Sequence, residues 1–410
     1  MRPDAEKTKP KLIFVWNYVE WGGSQVYMLS IMKVARAKWD IRVLLPRRSD
    51  QAFLTFLDQY EIKYQFIENA LDLRSVSGLF GKVSRQFQRL RTEFEVFTAL
   101  RKYDLKRSVV HTDLAPWQSW ILISALCLSG ARLFSTMHNI MPRTSAWREI
   151  IWRSRLKVVS KLSRFRIFAS NNDTKNRLKG WVSDEFWNKI KVTYTAVDPK
   201  QIEAATSAEY DRYAVREKFG IRRDRFIVLC VGNFIDRKGR WQYLDAAKII
   251  TAKRDDIDLV WLTPNLPKGA DLERVEGFGL GDRLKIIRSA DVGSERHSVL
   301  AFFRVADAFA LPSLIEGLPI ALLEAMAMGL PSISTNINAI PEAIFNEDTG
   351  LLIEPDDSVA LATAIEKLAD DKQLRELLTK NGREYALANF DETKIAADVI
   401  ASYSEALTWK

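Results

Sequence analysis

Short apolar runs alternate with helix-length amphipathic segments along the whole chain. In the first half the runs cover residues 12–16, 41–45, 64–67, 108–111, 133–137, 166–169 and 191–193. In the second half they cover 226–231, 259–263, 284–287, 308–311, 332–334 and 351–353. They are rich in β-branched residues and apolar on both faces, which predicts strands buried in parallel sheets. Strands separated by helices in this way predict an α/β protein with two Rossmann-like, doubly wound parallel sheets. A polar, small-residue stretch near 197–208 (VDPKQIEAATSA) marks the boundary between them. The expected domains are therefore residues 1–200 and 201–390. In 391–410, Ile395, Val399, Ile400, Tyr403 and Leu407 fall at helical spacing and predict a terminal helix packing back towards the first domain.

The length of 410 residues suits two domains rather than one core. With 47% apolar and 28% charged residues the chain reads as globular. Cys127 and Cys230 lie far apart, which argues against a disulfide framework. The charged start lacks the apolar stretch of a signal peptide, and the apolar run 120–128 is about half a membrane span. A cytoplasmic location follows as an expectation. Charge changes the picture more. Residues 1–200 hold 35 of the 61 Lys+Arg and 18 of the 52 Asp+Glu, a net of +17, leaving −8 for the rest of the +9 chain. A strongly basic first half points to an anionic partner.

Ligands in doubly wound sheets sit beyond the carboxyl ends of strands. The most informative segment there is 310–331, ALPSLIEGLPIALLEAMAMGLP. A strand ends at Leu311, and Glu316-Gly317-Leu318-Pro319 leads into a helix expected to begin near 318. Pro319 suits a first helical turn. Gly317 allows close backbone approach, and the helix start favours phosphate oxygens. Glu316 in the loop could accept hydrogen bonds from sugar hydroxyls, and Glu324 from a ribose. The same glutamates could instead be solvated on a core helix. Arg237 and Lys238 follow the first strand of the second domain, where they could stabilise a departing diphosphate or simply start a helix in solvent. His138, beside Asn139, follows a strand of the first domain, and Gly22 and Gly23 follow its first strand. Asp256-Ile257-Asp258 has a metal-like D-x-D spacing but reads as a solvated helix–strand junction. No His, Cys and carboxylate cluster has metal-ligand spacing.

Taken together these motifs resemble the retaining GT-B glycosyltransferases of family 4 (glycosyltransferase group 1). Glu316 and Glu324 resemble the E-x7-E signature. Gly22-Gly23-Ser24, Met137-His138-Asn139, Thr195-Ala196-Val197-Asp198, Val231-Gly232-Asn233 with Arg237-Lys238-Gly239, Ile340-Pro341-Glu342 and Thr349-Gly350-Leu351 match in order along nearly the whole chain. Gln25, Asn139, Asn233, 261–264 and Asn338-Ala339 depart from the common pattern. The resemblance implies a GT-B fold with two domains facing a central cleft, and an NDP-sugar donor held mainly by the second domain. It also implies retention at the anomeric carbon, with no cofactor and no required metal. It assigns catalytic parts to Glu316, His138, Arg237 and Lys238. Donor binding falls to Gly22, Gly23, Asn233, Gly317, Leu318, Pro319 and Glu324. A glycan or lipid-linked glycan acceptor and a role in bacterial envelope or exopolysaccharide synthesis are the family-level expectation. Other readings stay open: a GT-B sugar-nucleotide epimerase, or a silent sugar-nucleotide or membrane-binding scaffold. A dehydrogenase is disfavoured, because G-x-G-x-x-G is missing. No nucleic-acid motif is present.

Two basic stretches carry much of the charge. One holds Lys82, Arg85, Arg89 and Arg91 among Val83, Phe87 and Leu90. The other holds Arg148, Arg153, Arg155, Lys157, Lys161, Arg164 and Arg166 among Trp147, Ile150, Ile151 and Trp152. Both fit helices with an apolar and a cationic side. That pattern suits either sheet-packed helices or peripheral contact with an anionic membrane at its cytoplasmic face.

Overall fold

The structure is a computed structural model that describes residues 9–19, 23–70, 78–138, 144–207, 209–293 and 296–409. The chain divides into two compact units, Met1–Tyr194 with Thr393–Lys410, and Thr195–Glu392. The first is built on a seven-stranded sheet of β1 (Lys11–Val15), β2 (Asp40–Pro46), β3 (Lys63–Ile67), β4 (Ser108–Thr112), β5 (Arg132–Met137), β6 (Phe165–Ala169) and β7 (Lys191–Val192). Its order is β3-β2-β1-β4-β5-β6-β7, and every pair is parallel. The second unit holds β8 (Phe226–Val231), β9 (Ile257–Thr263), β10 (Leu284–Arg288), β11 (Ala308–Leu311), β12 (Ser332–Thr335) and β13 (Leu351–Ile353), in the order β10-β9-β8-β11-β12-β13. Strand order reverses between β1 and β4 and between β8 and β11. These are the points beyond whose carboxyl ends ligands bind in such sheets.

Alternation along each strand feeds two cores in the first unit. Ile13, Val15, Val110, Leu133 and Ile167 join one face, while Leu12, Phe14, Val109, Phe134 and Phe168 join the other. The helix Glu392–Ala406 seals the second of these with Ala396, Val399, Tyr403 and Ala406. His111 on β4 is fully buried and bonds through its two ring nitrogens to Tyr403 Oη and to Thr136 Oγ1, the latter at 2.7 Å. It ties the terminal helix to the sheet.

Two expectations are corrected. The stretch read as the domain boundary holds the helix Pro199–Ser207, and the division falls after Tyr194 instead of at 200. Asp198 accepts from the amide of Lys200 at 3.0 Å, and Ile202 and Ala205 are buried, so a small polar sequence still folds. Val197 then pairs with the far end of its own unit, its amide donating to Phe390 O at 2.8 Å. The second basic stretch is also not one helix. Ala146–Ser160 is helical, Lys161 and Arg164 lie beyond it, and Arg166 sits on β6 with its guanidinium 4.3 Å from the Trp409 ring centre. Both cysteines are free and buried.

Candidate functional site

In the second unit, β11 leads into a loop and then the helix Ile320–Ala327. The helix starts later than expected, and Pro319 caps it rather than entering its first turn. Proline disfavours helical geometry at the residue before it, Leu318. Pro319 itself is extended (ψ 124°), and its carbonyl accepts from the amides of Leu322 and Leu323 at 3.1 and 3.4 Å. The loop is held by buried hydroxyls. Thr335 Oγ1 donates to Ser313 O at 2.6 Å, and Ser313 Oγ donates to Glu316 Oε1 at 3.0 Å.

A second turn, Asp236–Lys238, follows β8 and closes at Gly239. Gly239 has φ +72°, and a Cβ there would lie 1.8 Å from Pro312 O. Only glycine permits this approach. The turn is tied across by Leu314 N donating to Arg237 O at 2.9 Å. The two loops thereby bring Lys238 Nζ to 2.5 Å from Glu316 Oε1 and Arg237 Nη1 to 3.2 Å from Glu316 Oε2. Glu316 and Lys238 side chains are 7% and 12% exposed, Arg237 44%. Arg237 also donates to Ile315 O at 3.1 Å. Three of the four residues given catalytic parts by the resemblance therefore meet in one cluster. Asn233 is exposed on the same connection, Gly317 is half-buried, and Leu318 is buried.

Glu324 lies a turn into the helix, buried, and forms an ion pair with Arg296. Burial raises its pKa, and Arg296 opposes that shift. The sequence reading did not find Arg296, which carries no motif and meets Glu324 only through the fold. Asp256 and Asp258 are structural. The first pairs with Arg254 at 2.8 Å, the second with Arg222 and, at 2.7 Å, with Arg283.

In the first unit Gly23 opens the helix Gly23–Ala35, while Gly22 and Asn139 lie outside the described residues. His138 follows β5 directly, its ring set edge-on to Tyr27 at 5.1 Å. Burial lowers its pKa to about 4, so the ring is neutral at pH 7. Its Nε2 is buried without a partner among the described residues. A further group escaped the sequence reading. Tyr18, beyond β1, donates its hydroxyl to Asp113, beyond β4, and lies 2.7 Å from Ser24 Oγ. Burial pushes the Asp113 pKa up to about 6, and its Oδ1 has no partner among the described residues. Asp113 stands at the switch point of its sheet. Its place as the first carboxylate after a strand was the available signal.

Comparison with known proteins bears on both units. Residues 211–385 match the family described as glycosyl transferases group 1. Alpha-D-kanosaminyltransferase of Streptomyces kanamyceticus is 30% identical over 217 residues, covering 52% of this chain and 54% of that protein. The UDP-Gal:alpha-D-GlcNAc-diphosphoundecaprenol alpha-1,3-galactosyltransferase of Escherichia coli is 29% identical, covering 50% and 54%. The chain thus matches about half the length of these curated relatives. The crystal structure of Anabaena Alr3699/HepE in complex with UDP superimposes with a TM-score of 0.74 at 19% identity, covering 96% of this chain and 100% of that one. At that identity the likeness shows the fold alone, which is GT-B. The family match fills most of Thr195–Glu392, so it is the second unit that is similar to the glycosyl transferases group 1 family.

Proposed function

We propose that the chain transfers a sugar, with retention, from an NDP-sugar to a hydroxyl of a glycan or lipid-linked glycan in bacterial envelope or exopolysaccharide synthesis. The observation that carries this reading is the Arg237–Lys238–Glu316 cluster at the switch point of the second sheet. A departing diphosphate gains negative charge as the anomeric bond breaks. Two fixed cations stabilise that charge where it develops, the part a divalent metal plays in other transferases. No metal is then required. Glu316 receives hydroxyls of the donor sugar and Glu324 the ribose. Gly317, Leu318 and Pro319 let the backbone approach the phosphates, with Asn233 on the facing connection.

The acceptor belongs to the first unit in this reading. Neutral His138 offers its unpartnered Nε2 to a sugar hydroxyl, and Asp113 offers Oδ1 to the acceptor. Gly22 and Gly23 supply amides at the start of the first helix. The acceptor oxygen attacks the anomeric carbon on the face the phosphate leaves, and the phosphate oxygen takes its proton. The name of the Escherichia coli relative, with its lipid diphosphate, and the UDP bound to the Anabaena protein support these substrate classes.

The test is nucleotide release from UDP-, GDP- and ADP-sugars, with and without a lipid-linked glycan extract and with and without a chelator. Chelator-resistant, acceptor-dependent release from one donor, lost in Glu316→Ala, is expected. Unchanged turnover in both Glu316→Ala and Lys238→Ala would sink the assignment. Conversion of a donor without acceptor would instead indicate an epimerase.

A further inference from the structure

A cavity of about 1330 Å³ opens at the amino ends of the strands of the first sheet. Lys11, Asp40, Lys63, Ser108 and Arg132, which line it, are the first residues of β1 to β5. A five-residue strand rises about 16 Å, so the cavity lies roughly that far from the switch point, at the opposite end of the sheet. Nine cations and three carboxylates line it. Alternation puts Lys11, Arg42 and Lys63 on one side of three neighbouring strands, because Ile13, Leu44 and Ile67 of the same parity enter one core. Arg42 and Lys63 are register partners, so two like charges stand on backbones about 4.8 Å apart. The carboxylates leave most of the positive charge unanswered. Asp40 is shared by Lys11 at 2.6 Å and Arg42 at 3.0 Å. Asp104 caps its own turn, accepting from Lys106 N at 3.2 Å, and lies 3.8 Å from Arg107. Glu61 is exposed. Lys9, Arg36, Lys63, Lys106 and Arg132 form no ion pair among the described residues. Lys9 Nζ donates to Arg36 O at 3.2 Å, and the Arg36 guanidinium lies 4.7 Å from the Tyr60 ring centre. Arg132 is buried and bonds only to carbonyls, those of Lys106, Ala406, Leu407 and Trp409. Burial lowers its pKa, and Arg164 lowers it further.

We infer that this cavity is an anion site for a soluble chain of phosphates, separate from the site proposed for the donor. Charge and shape identify the ligand. The unpaired cations spread from β3 to β5, four strand spacings or about 19 Å. A single phosphate meets only a few of them, whereas a phosphate chain reaches along the row. The volume also exceeds the roughly 300–1,000 Å³ of an ordinary small-molecule pocket. Arginine forks and lysine ammonium groups are the side chains that phosphate oxygens bind most strongly. A bilayer does not fit, because no large apolar side chain among the described lining residues is exposed. A nucleic-acid strand needs open rings on which its bases stack. Of the two rings in the lining, Trp39 is buried and Tyr60 has one face taken by Arg36. The cavity therefore reads phosphates and not bases. The bound anion also answers the charge of Arg132, which holds the last carbonyls of the helix Glu392–Ala406. Occupancy thereby steadies the helix that seals the first unit.

The site does not depend on the transferase reading, because binding is measured without donor or acceptor. The experiment is calorimetric titration of the full chain with tripolyphosphate, ATP and orthophosphate. Tripolyphosphate should bind at least about tenfold tighter than orthophosphate, weaken with salt and raise Tm. Lys63→Gln/Lys106→Gln should weaken that binding at least about tenfold. Circular dichroism and the Tm of the unliganded variant should stay as in the parent, because both side chains are exposed. Arg237→Ala should leave the affinity for tripolyphosphate unchanged. The two sources of a phosphate chain separate in the same titrations. Preference for ATP assigns the site to a nucleoside polyphosphate, and equal or weaker binding of ATP assigns it to an inorganic chain. Three results would each overturn the inference. Tripolyphosphate could fail to bind, its binding could fall in Arg237→Ala but not in the double variant, or a single-stranded oligonucleotide could bind more tightly than tripolyphosphate.

Discussion

Lys238→Met isolates the charge that the proposed donor site is built around. Lys238 and Glu316 are almost fully buried and 2.5 Å apart. Removing one partner of a buried pair costs about 3–5 kcal/mol when the other charge is left uncompensated. Glu316 would keep Arg237 at 3.2 Å and the Ser313 hydroxyl at 3.0 Å, so roughly half of that loss is offset. The expected destabilisation is about 2 kcal/mol. For a unit of about 200 residues this lowers Tm by about 4–8 °C. Glu316→Gln added to Lys238→Met should recover about 1–2 kcal/mol, because the orphaned charge is gone. Ligand protection separates stability from function. A nucleotide sugar at 100 times its Kd adds about 2.7 kcal/mol to the unliganded protein. Lys238→Met should lose most of that protection, because the diphosphate loses its buried cation. Thermal scans of the three proteins, with and without donor, read all of these quantities. A variant within about 1 °C of the parent that is still protected by the donor would refute the reasoning on both counts.

Other perturbations follow from single contacts. Gly239→Ala places a Cβ on Pro312 O at a positive φ and should cost about 2–3 kcal/mol while abolishing donor protection, as read by thermal scans with donor. Glu324 has a raised pKa in the fold, so its contribution to stability is present at low pH and lost as pH rises through the folded value. Glu324→Gln should flatten that part of the Tm–pH curve. His138 has the opposite sign. Its folded pKa of about 4 lies below the usual 6.5, so its contribution is complete above pH 6.5 and is lost as the pH falls towards 4. Its ring signals should titrate near 4 by NMR, and His138→Asn should ease the acid sensitivity.

The strands were legible because parallel strands buried on both faces leave unbroken apolar runs, and all thirteen runs became strands. The cluster of Arg237, Lys238 and Glu316 was legible as two motifs, but not as a contact. Nothing in the chain says that Gly239 lets one turn seat on Pro312. The Arg296–Glu324 and Tyr18–Asp113 contacts were invisible for the same reason: each is two ordinary residues until the fold joins them, although Asp113 alone could have been noticed as the first carboxylate after a strand. The division was placed at 200 because the residues of Pro199–Ser207 are small and polar, yet that segment folds as a helix through the Asp198 cap and the packing of Ile202 and Ala205. The first basic helix has apolar residues all round. Periodicity alone cannot say that Val96 and Leu100 point inward while Phe87 and Phe94 face solvent.

In the proposed reaction Glu316 serves a sugar although its oxygens are already occupied, and how it does so decides between its two cations. A carboxylate offers about four lone-pair sites. Oε1 is taken by Lys238 and Ser313, and Oε2 by Arg237. Lys238 is buried and held against the loop, so it stays. Arg237 is nearly half exposed and can leave Oε2 for a phosphate oxygen, which frees that oxygen for donor-sugar hydroxyls. Arg237 is then the exchanging cation and Lys238 the fixed one. Exposed ion pairs contribute about 0–1 kcal/mol, so Arg237→Ala should move Tm by no more than about 4 °C. It should weaken donor binding at least tenfold, the loss of about one charge-assisted hydrogen bond. Calorimetric titration of the variant with the donor checks this. Donor affinity equal to the parent's would mean that Arg237 stays on Glu316 and that the sugar is held elsewhere.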